Sequence, residues 1–267
     1  MFSRHTTVSL QKDLRLKILS MYYEAKAGHI GCSLSCIDLM IASLILIKEK
    51  EDSFILSKGH AAAALYVCIR HLGGITEEEL FSFYKNGTTL SAHPAPRKFI
   101  DIPFATGSLG HGLPIGCGIA KANKLLQNES TVFVLMSDGE TNEGTTWEAS
   151  HFAVQHQLDN LVVMIDKNGL QGFGTTLEVL GDTAAASKFR DIGYETTEVN
   201  GHDVEEIIPV ITAMKNNKNG KPKMIIASTV KGKGVSYMES QMKWHYLPMN
   251  KEQYIQALDE VSKKYSE

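Results

Sequence analysis

The stretch Thr131–Gly174, TVFVLMSDGETNEGTTWEASHFAVQHQLDNLVVMIDKNGLQGFG, decides the fold. Its apolar, β-branched opening, Thr131 to Met136, stops at Ser137-Asp138-Gly139. That pattern predicts a buried parallel strand ending in a turn. An amphipathic helix follows, with Trp147, Phe152, Val154 and Leu158 as candidates for its buried side. A second apolar run, Leu161 to Ile165, ends at Asp166-Lys167-Asn168-Gly169. The unit is strand–turn–helix–strand, with Asp138 and Asn168 just past the carboxyl ends of their strands. That edge of an open α/β sheet is where ligands bind. A carboxylate and a side-chain amide brought together there suit a hard cation such as Mg²⁺, which usually completes its octahedron with phosphate oxygens.

Outward from this unit the alternation continues. Leu10, Leu14, Ile18, Leu19 and Tyr22 recur at helical spacing, and Gly28-His29-Ile30-Gly31 breaks the pattern. Ser33 or Ser35 can cap a second helix, whose apolar core Leu34–Ile47 contains Asp38 and is too short to span a membrane. A short strand, Ser53 to Leu56, leads through Ser57-Lys58-Gly59-His60 into an Ala-rich helix reaching Leu72. Thr76 and Glu79 form a capping-box pair for a small helix reaching Tyr84. Residues 86–108 read as a long ordered loop, and loops of that length in a compact domain are usually functional or disordered. Beyond Gly174 an irregular segment runs to Gly181. A helix over 183–191, a strand near 195–199, a helix to about Lys215 and a strand from Lys223 to Val230 follow, with a polar tail. The alternation predicts an α/β fold: one domain, residues 1–267, with a mostly parallel sheet flanked by helices.

Composition narrows the function classes. A net charge of −3 gives no electrostatic case for nucleic acid. Cys32, Cys36, Cys68 and Cys117 form no CxxC pair and no zinc spacing, and read as free cytosolic thiols. The N-terminus lacks the apolar core of a signal peptide, so a soluble cytoplasmic protein is expected, without membrane attachment. No GxGxxG and no GxxxxGK[ST] occurs, which sets aside a nucleotide-binding Rossmann protein.

His29, His60, His93, His111 and His245 sit in turns or loops beside Gly, Ser, Pro or Trp rather than on apolar faces. Any one alone suits a solvated or structural role. Together, at a strand edge, they suit hydrogen bonding to sugar hydroxyls and phosphate, and proton transfer near neutral pH. Lys58, Lys231 and Lys233 are positive charges near the same turns, each read as surface-solvated.

These segments, in this order, resemble the transketolase family. Ser137-Asp138-Gly139 followed by Asn168, at 168 − 138 = 30 residues, is similar to its Gly-Asp-Gly…Asn metal and thiamine diphosphate motif, with serine for the first glycine. Gly28-His29-Ile30-Gly31, Ser57-Lys58-Gly59-His60, Ala92-His93-Pro94, Gly107-Ser108-Leu109-Gly110-His111-Gly112, Glu143-Gly144, Trp147-Glu148-Ala149, Lys231-Gly232-Lys233-Gly234 and Trp244-His245 resemble its other segments. The resemblance runs from about residue 8 to 250. It implies a thiamine diphosphate-binding fold of the diphosphate-domain type. Asp138, Asn168 and the Leu170 carbonyl would bind Mg²⁺, with Ca²⁺ or Mn²⁺ able to substitute. Gly107, Ser108, Leu109, Gly110 and Gly139 would let backbone amides approach the diphosphate. His60 and His245 would contact the diphosphate or the reacting centre, and His29 and His93 the ketose hydroxyls. Glu143 would join a carboxylate pair crossing the subunit interface towards the thiamine pyrimidine. It also suits a helix N-terminal charge, and both roles are compatible.

The family's pyrimidine-activating glutamate lies on a second domain, for which no residues remain before Glu267. The resemblance therefore implies the N-terminal subunit of a split transketolase, transferring a ketol unit from a ketose to an aldose only with a C-terminal partner. A heterotetramer of two of each chain is the implied assembly. Many family members place an arginine nine residues before the third histidine; here that position is Tyr84, with Lys85 beside it. That departure, with Gln171-Gly172-Phe173-Gly174, favours a specialised sugar pathway. Two alternatives are an α subunit of a thiamine-dependent 2-oxo acid dehydrogenase and a non-catalytic cofactor-binding subunit.

Overall fold

A computed structural model describes residues 4–96 and 102–266. Five strands form one parallel sheet: β1 (Ser53–Leu56), β2 (Val132–Ser137), β3 (Leu161–Lys167), β4 (Glu195–Asn200) and β5 (Lys223–Ser228), in the order β1-β2-β3-β5-β4. The helices are α1 (Arg4–Ala25), α2 (Ile30–Met40), α3 (Ala62–His71), α4 (Glu77–Leu80), α5 (Gly112–Leu125), α6 (Gly144–Gln155), α7 (Thr176–Leu180), α8 (Ala186–Ile192), α9 (Val204–Asn216) and α10 (Lys251–Lys264). The expected α/β class with a parallel sheet is borne out.

Register explains why β2 and β3 are apolar throughout Val132–Met136 and Leu161–Ile165. Ile55, Val134, Val163 and Met224 lie in one row across the strands and point to the face covered by α5, α6 and α8. Phe54, Phe133, Val162 and Ile225 alternate with them, towards α1, α2, α3, α9 and α10. Strands covered on both faces need apolar residues at both parities. The Ile30–Ile47 segment is apolar and long enough to cross a membrane, yet 83% of it is buried inside the protein. It is α2 continued by a π-helical turn, Ile41–Ile47.

Helix α6 differs from expectation. Its buried side is Thr146, Ala149, Ser150 and Ala153, while Phe152 is 40% exposed. Small residues let α6 lie close to α5 and the sheet, whereas Trp147 stacks on Phe189 at the periphery. Leu158 is buried, but beyond the helix end. The segment read as irregular holds α7, capped by Thr175 and Glu178, and the polar tail holds α10, capped by Asn250 and Gln253. The Thr76–Glu79 capping box forms on the short α4. Of the loop expected over 86–108, residues 97–101 lie outside the described residues; the remainder carries no helix or strand.

Candidate active site

The carboxyl edge of the sheet gathers the functional segments. Strand β1 delivers Ser57 to His60, β2 delivers Asp138, β3 delivers Asn168, and the chain after β5 delivers Lys231 and then the turn carrying His245. They surround a cavity of about 460 Å³, within the usual size of small-molecule sites. His29, His60, His93 and His245 all line it. Ring centroids lie 5.0 Å apart for His29–His245, 5.5 Å for His60–His245, 5.6 Å for His29–His60 and 5.8 Å for His29–His93.

Close backbone approach builds this cluster. A Cβ on Gly28 would sit 2.6 Å from the Tyr246 carbonyl oxygen, so only glycine lets the Met242–His245 turn dock there. The His29 N–H then donates to the His245 carbonyl at 3.0 Å. Trp244, 1% exposed, anchors the turn by donating its indole N–H to the Tyr237 carbonyl at 2.8 Å.

Burial is the main influence on the imidazoles. It pushes His29, His60 and His245 down to about 4, and lowers His93. His245 and Lys231 lower His29 further, and Lys231 and Lys58 lower His245 further. At neutral pH the cluster is uncharged. An unfolded histidine takes up its proton near 6.5, whereas these do so near 4. Below pH 6.5 the unfolded chain therefore binds more protons, and the stability present at pH 7 falls until about pH 4. A lower thermal midpoint at about pH 5 than at pH 7 is expected for the cofactor-free chain, checked by scanning calorimetry.

Asp138, 1% exposed, accepts the Gly139 N–H at 2.9 Å and the Gly169 N–H at 2.7 Å. Burial and the neighbouring Asp166 carboxylate push its pKa up to about 6, so a nearby cation would relieve it. The Asn168 side-chain oxygen accepts the Leu170 N–H at 3.1 Å, and its amide donates to Asp166 at 3.4 Å. Asp138, Asn168 and Leu170 line the same cavity. Among the described residues no three His, Cys, Asp or Glu side chains converge as a metal cluster. A carboxylate, an amide oxygen and a carbonyl fit Mg²⁺ when phosphate oxygens complete the shell.

Sequence reasoning missed three supporting groups. Glu140, fully buried, accepts from the Ser57 hydroxyl, the Gly110 N–H at 3.0 Å and the Ser137 N–H at 2.8 Å, tying three turns together. Its signal was the Ser137–Glu140 capping-box spacing. Asp166, also buried, pairs with Lys58 and accepts from Ser35 and Thr229. Cys32 is a free thiol, as the sequence implies, but it also lines the cavity, with its sulfur 3.5 Å from His245 Nδ1.

Other placements correct the sequence reading. Lys58 and Lys231 are buried rather than solvated, because Asp166 pairs with one, and His245 and the Leu170 carbonyl take the other. His111 is exposed and bonds the Leu109 carbonyl at 3.0 Å, outside the cluster. Gly107 and Leu109 line the cavity; Ser108 is exposed, and the Gly110 amide points inward to Glu140. Gly139 lines the cavity, but its amide donates to Asp138. Tyr84, not Lys85, lines the adjoining aromatic pocket with Tyr22 and Phe83. Glu143 lines the exposed rim as the residue preceding α6.

Residues 8–262 match the family described as transketolase, thiamine diphosphate binding domain. The chain belongs to that family. This transketolase-family chain is similar to an apulose-4-phosphate transketolase subunit of Phocaeicola vulgatus, 40% identical over 97% of this chain and 95% of that protein. It is also similar to a 6-deoxy-6-sulfo-D-fructose transketolase subunit of a Clostridium species, 32% identical over 89% of each. A sedoheptulose 7-phosphate complex of Pichia stipitis transketolase superposes with a TM-score of 0.87, at 26% identity, covering 98% of this chain and 41% of that one. The chain thus spans about two-fifths of the length of that solved transketolase. Family, fold and enzyme class, a transferase subunit using thiamine diphosphate, agree with the sequence reading. The 2-oxo acid dehydrogenase alternative is not favoured by these relatives.

Proposed function

We propose that this chain is the diphosphate-binding subunit of a two-chain transketolase, moving a two-carbon ketol unit from a ketose to an aldose acceptor. The observation that carries this is the group of four neutral imidazoles facing the same cavity as Asp138, Asn168 and Leu170. Asp138 and Asn168, through their side chains, and Leu170, through its carbonyl, would hold Mg²⁺, which would bind the diphosphate. Gly107, Leu109 and Gly139, which line the same cavity, would lie along the diphosphate. Thiamine diphosphate, when bound, supplies the electron sink for carbon–carbon cleavage.

The chain's own groups orient the sugar and handle protons. Uncharged His29 and His93 can accept a hydroxyl proton at a ring nitrogen and return it. His60 and His245 face the reacting centre, and the aromatic pocket of Tyr22, Phe83 and Tyr84 receives the distal end of the sugar. Glu143, at the rim, reaches the partner and also favours the α6 N-terminus.

The relatives named as apulose-4-phosphate transketolase subunits are matched over nearly their whole length, which supports a pyrimidine domain on a separate polypeptide. Two of each chain form the assembly, in the cytoplasm, and residues 1–267 form one diphosphate domain. Relatives named for apulose 4-phosphate and 6-deoxy-6-sulfo-D-fructose support a ketose of specialised sugar metabolism.

Calorimetric titration of thiamine diphosphate in the presence of Mg²⁺ tests the cofactor role. Saturable heat that disappears when Mg²⁺ is chelated is expected. Absence of binding both to the chain and to its mixture with a pyrimidine-domain partner contradicts the proposal.

A further inference from the structure

Lys231 is 1% exposed, and its ammonium enters no ion pair with a carboxylate among the described residues. Its Nζ lies 2.9 Å from His245 Nδ1 and 3.5 Å from the Leu170 carbonyl oxygen. An ammonium has three donors and no acceptor. A ring nitrogen at that distance must therefore present its lone pair, and a neutral imidazole with an acceptor at Nδ1 carries its proton on Nε2. The hydrogen-bond partners assign this tautomer.

We propose that Lys231 is a positioning residue that holds His245 as the Nε2–H tautomer, so that His245 acts in the cavity as a hydrogen-bond donor and not as a base. The Nε2 side is open to a ligand. It lies 3.7 Å from where a Cβ on Gly172 would stand, Gly172 lines the cavity, and no protein group bonds Nε2 among the described residues. Protonating the ring would require Nδ1 to give up the Lys231 bond and a second positive charge to form beside a buried one.

The neighbouring charges act in the same direction. Lys231 and Lys58 face His245 as charges, His29 and His60 as uncharged rings, and the Tyr246 ring lies tilted against it at 4.8 Å. Cys32 is the remaining ionisable neighbour, its sulfur 3.5 Å from the same Nδ1. Burial raises that thiol, but the Lys231 charge and a hydrogen bond from His60 outweigh burial and bring it down to about 6. A thiolate there could only accept from Nδ1, so it competes with the ammonium for that nitrogen; the shorter contact, 2.9 Å against 3.5 Å, assigns Nδ1 to Lys231. His245 then steadies negative charge on a diphosphate or ketose oxygen, while His29 and His93 carry the proton traffic. The tautomer stands on geometry alone; only this choice of what Nε2–H serves rests on the proposed function.

Nitrogen-15 NMR of the histidine rings in the full chain, with and without Mg²⁺ and thiamine diphosphate, tests the assignment. The His245 signals are identified by their loss in His245→Gln. In the wild type a single tautomer is expected at neutral pH, Nε2 protonated and Nδ1 bare. Lys231→Arg should keep it, and Lys231→Met should release a mixture of tautomers and raise the ring's titration midpoint. A wild-type ring protonated at Nδ1, or a Lys231→Met spectrum unchanged from wild type, overturns the proposal. Should Lys231→Met fail to fold, the wild-type and Lys231→Arg spectra still decide. Failure of the cofactor to bind would count against the proposed function and leave the tautomer result intact.

Discussion

Asp138→Ala is expected to weaken binding of Mg²⁺ and thiamine diphosphate by at least about 100-fold, with the fold retained. Loss of a group that merely orients a metal ligand typically costs 10–100-fold. A carboxylate that itself ligates the metal belongs at or beyond the top of that range. Asp138 makes no ion pair among the described residues and is held by the Gly139 and Gly169 amides. Its removal therefore strands no buried partner charge. Calorimetric titration reads the affinity, and circular dichroism with the thermal midpoint reads the fold. An affinity within a few-fold of wild type, in a folded variant, would remove Asp138 from the metal site.

Lys58→Met is expected to destabilise the chain by roughly 3–5 kcal/mol, the usual cost of removing one partner from a buried ion pair. Both side chains of the Lys58–Asp166 pair are fully buried. Losing the ammonium leaves Asp166 with only the Ser35, Thr229 and Asn168 donors. The loss is a large share of the 5–15 kcal/mol that folded domains usually have. Asp166→Asn added to Lys58→Met should recover part of it, because the uncompensated charge disappears while hydrogen bonds to Ser35 and Thr229 can persist. Urea unfolding compares both variants with the surface control Lys188→Met. A single variant no less stable than that control would show that the pair does not hold the site's floor.

The sheet was legible because its central strands obey a simple rule: covered on both faces, they carry unbroken apolar runs, as in Val132–Met136 and Leu161–Ile165. The meeting of Asp138 and Asn168 was legible because they follow two such strands that lie side by side. The packing of α6 was not. Periodicity favours the large residues Trp147 and Phe152, whereas close approach to α5 selects Ala149 and Ala153. The site's polar supports were equally hidden, since burial of Lys58, Lys231 and Glu140 depends on partners distant in sequence. Lys58 finds Asp166 across 108 positions, and Ser57 finds Glu140 across 83. A lysine in a glycine-rich turn looks solvated until its partner is known. The histidines were easier, because a ring beside Gly or Pro in a turn has no apolar face to serve, and four of the five converge.

The most direct test of the split-enzyme proposal is ketol transfer measured on three samples containing Mg²⁺ and thiamine diphosphate: this chain, a purified pyrimidine-domain partner, and their equimolar mixture. Each is offered ketose donors and aldose acceptors, with pyruvate decarboxylation measured in parallel. The expected result is transfer by the mixture, background rates from either chain by itself, and no pyruvate decarboxylation in any sample. Ketol transfer by this chain free of any partner, or decarboxylation in place of transfer by the mixture, would contradict it.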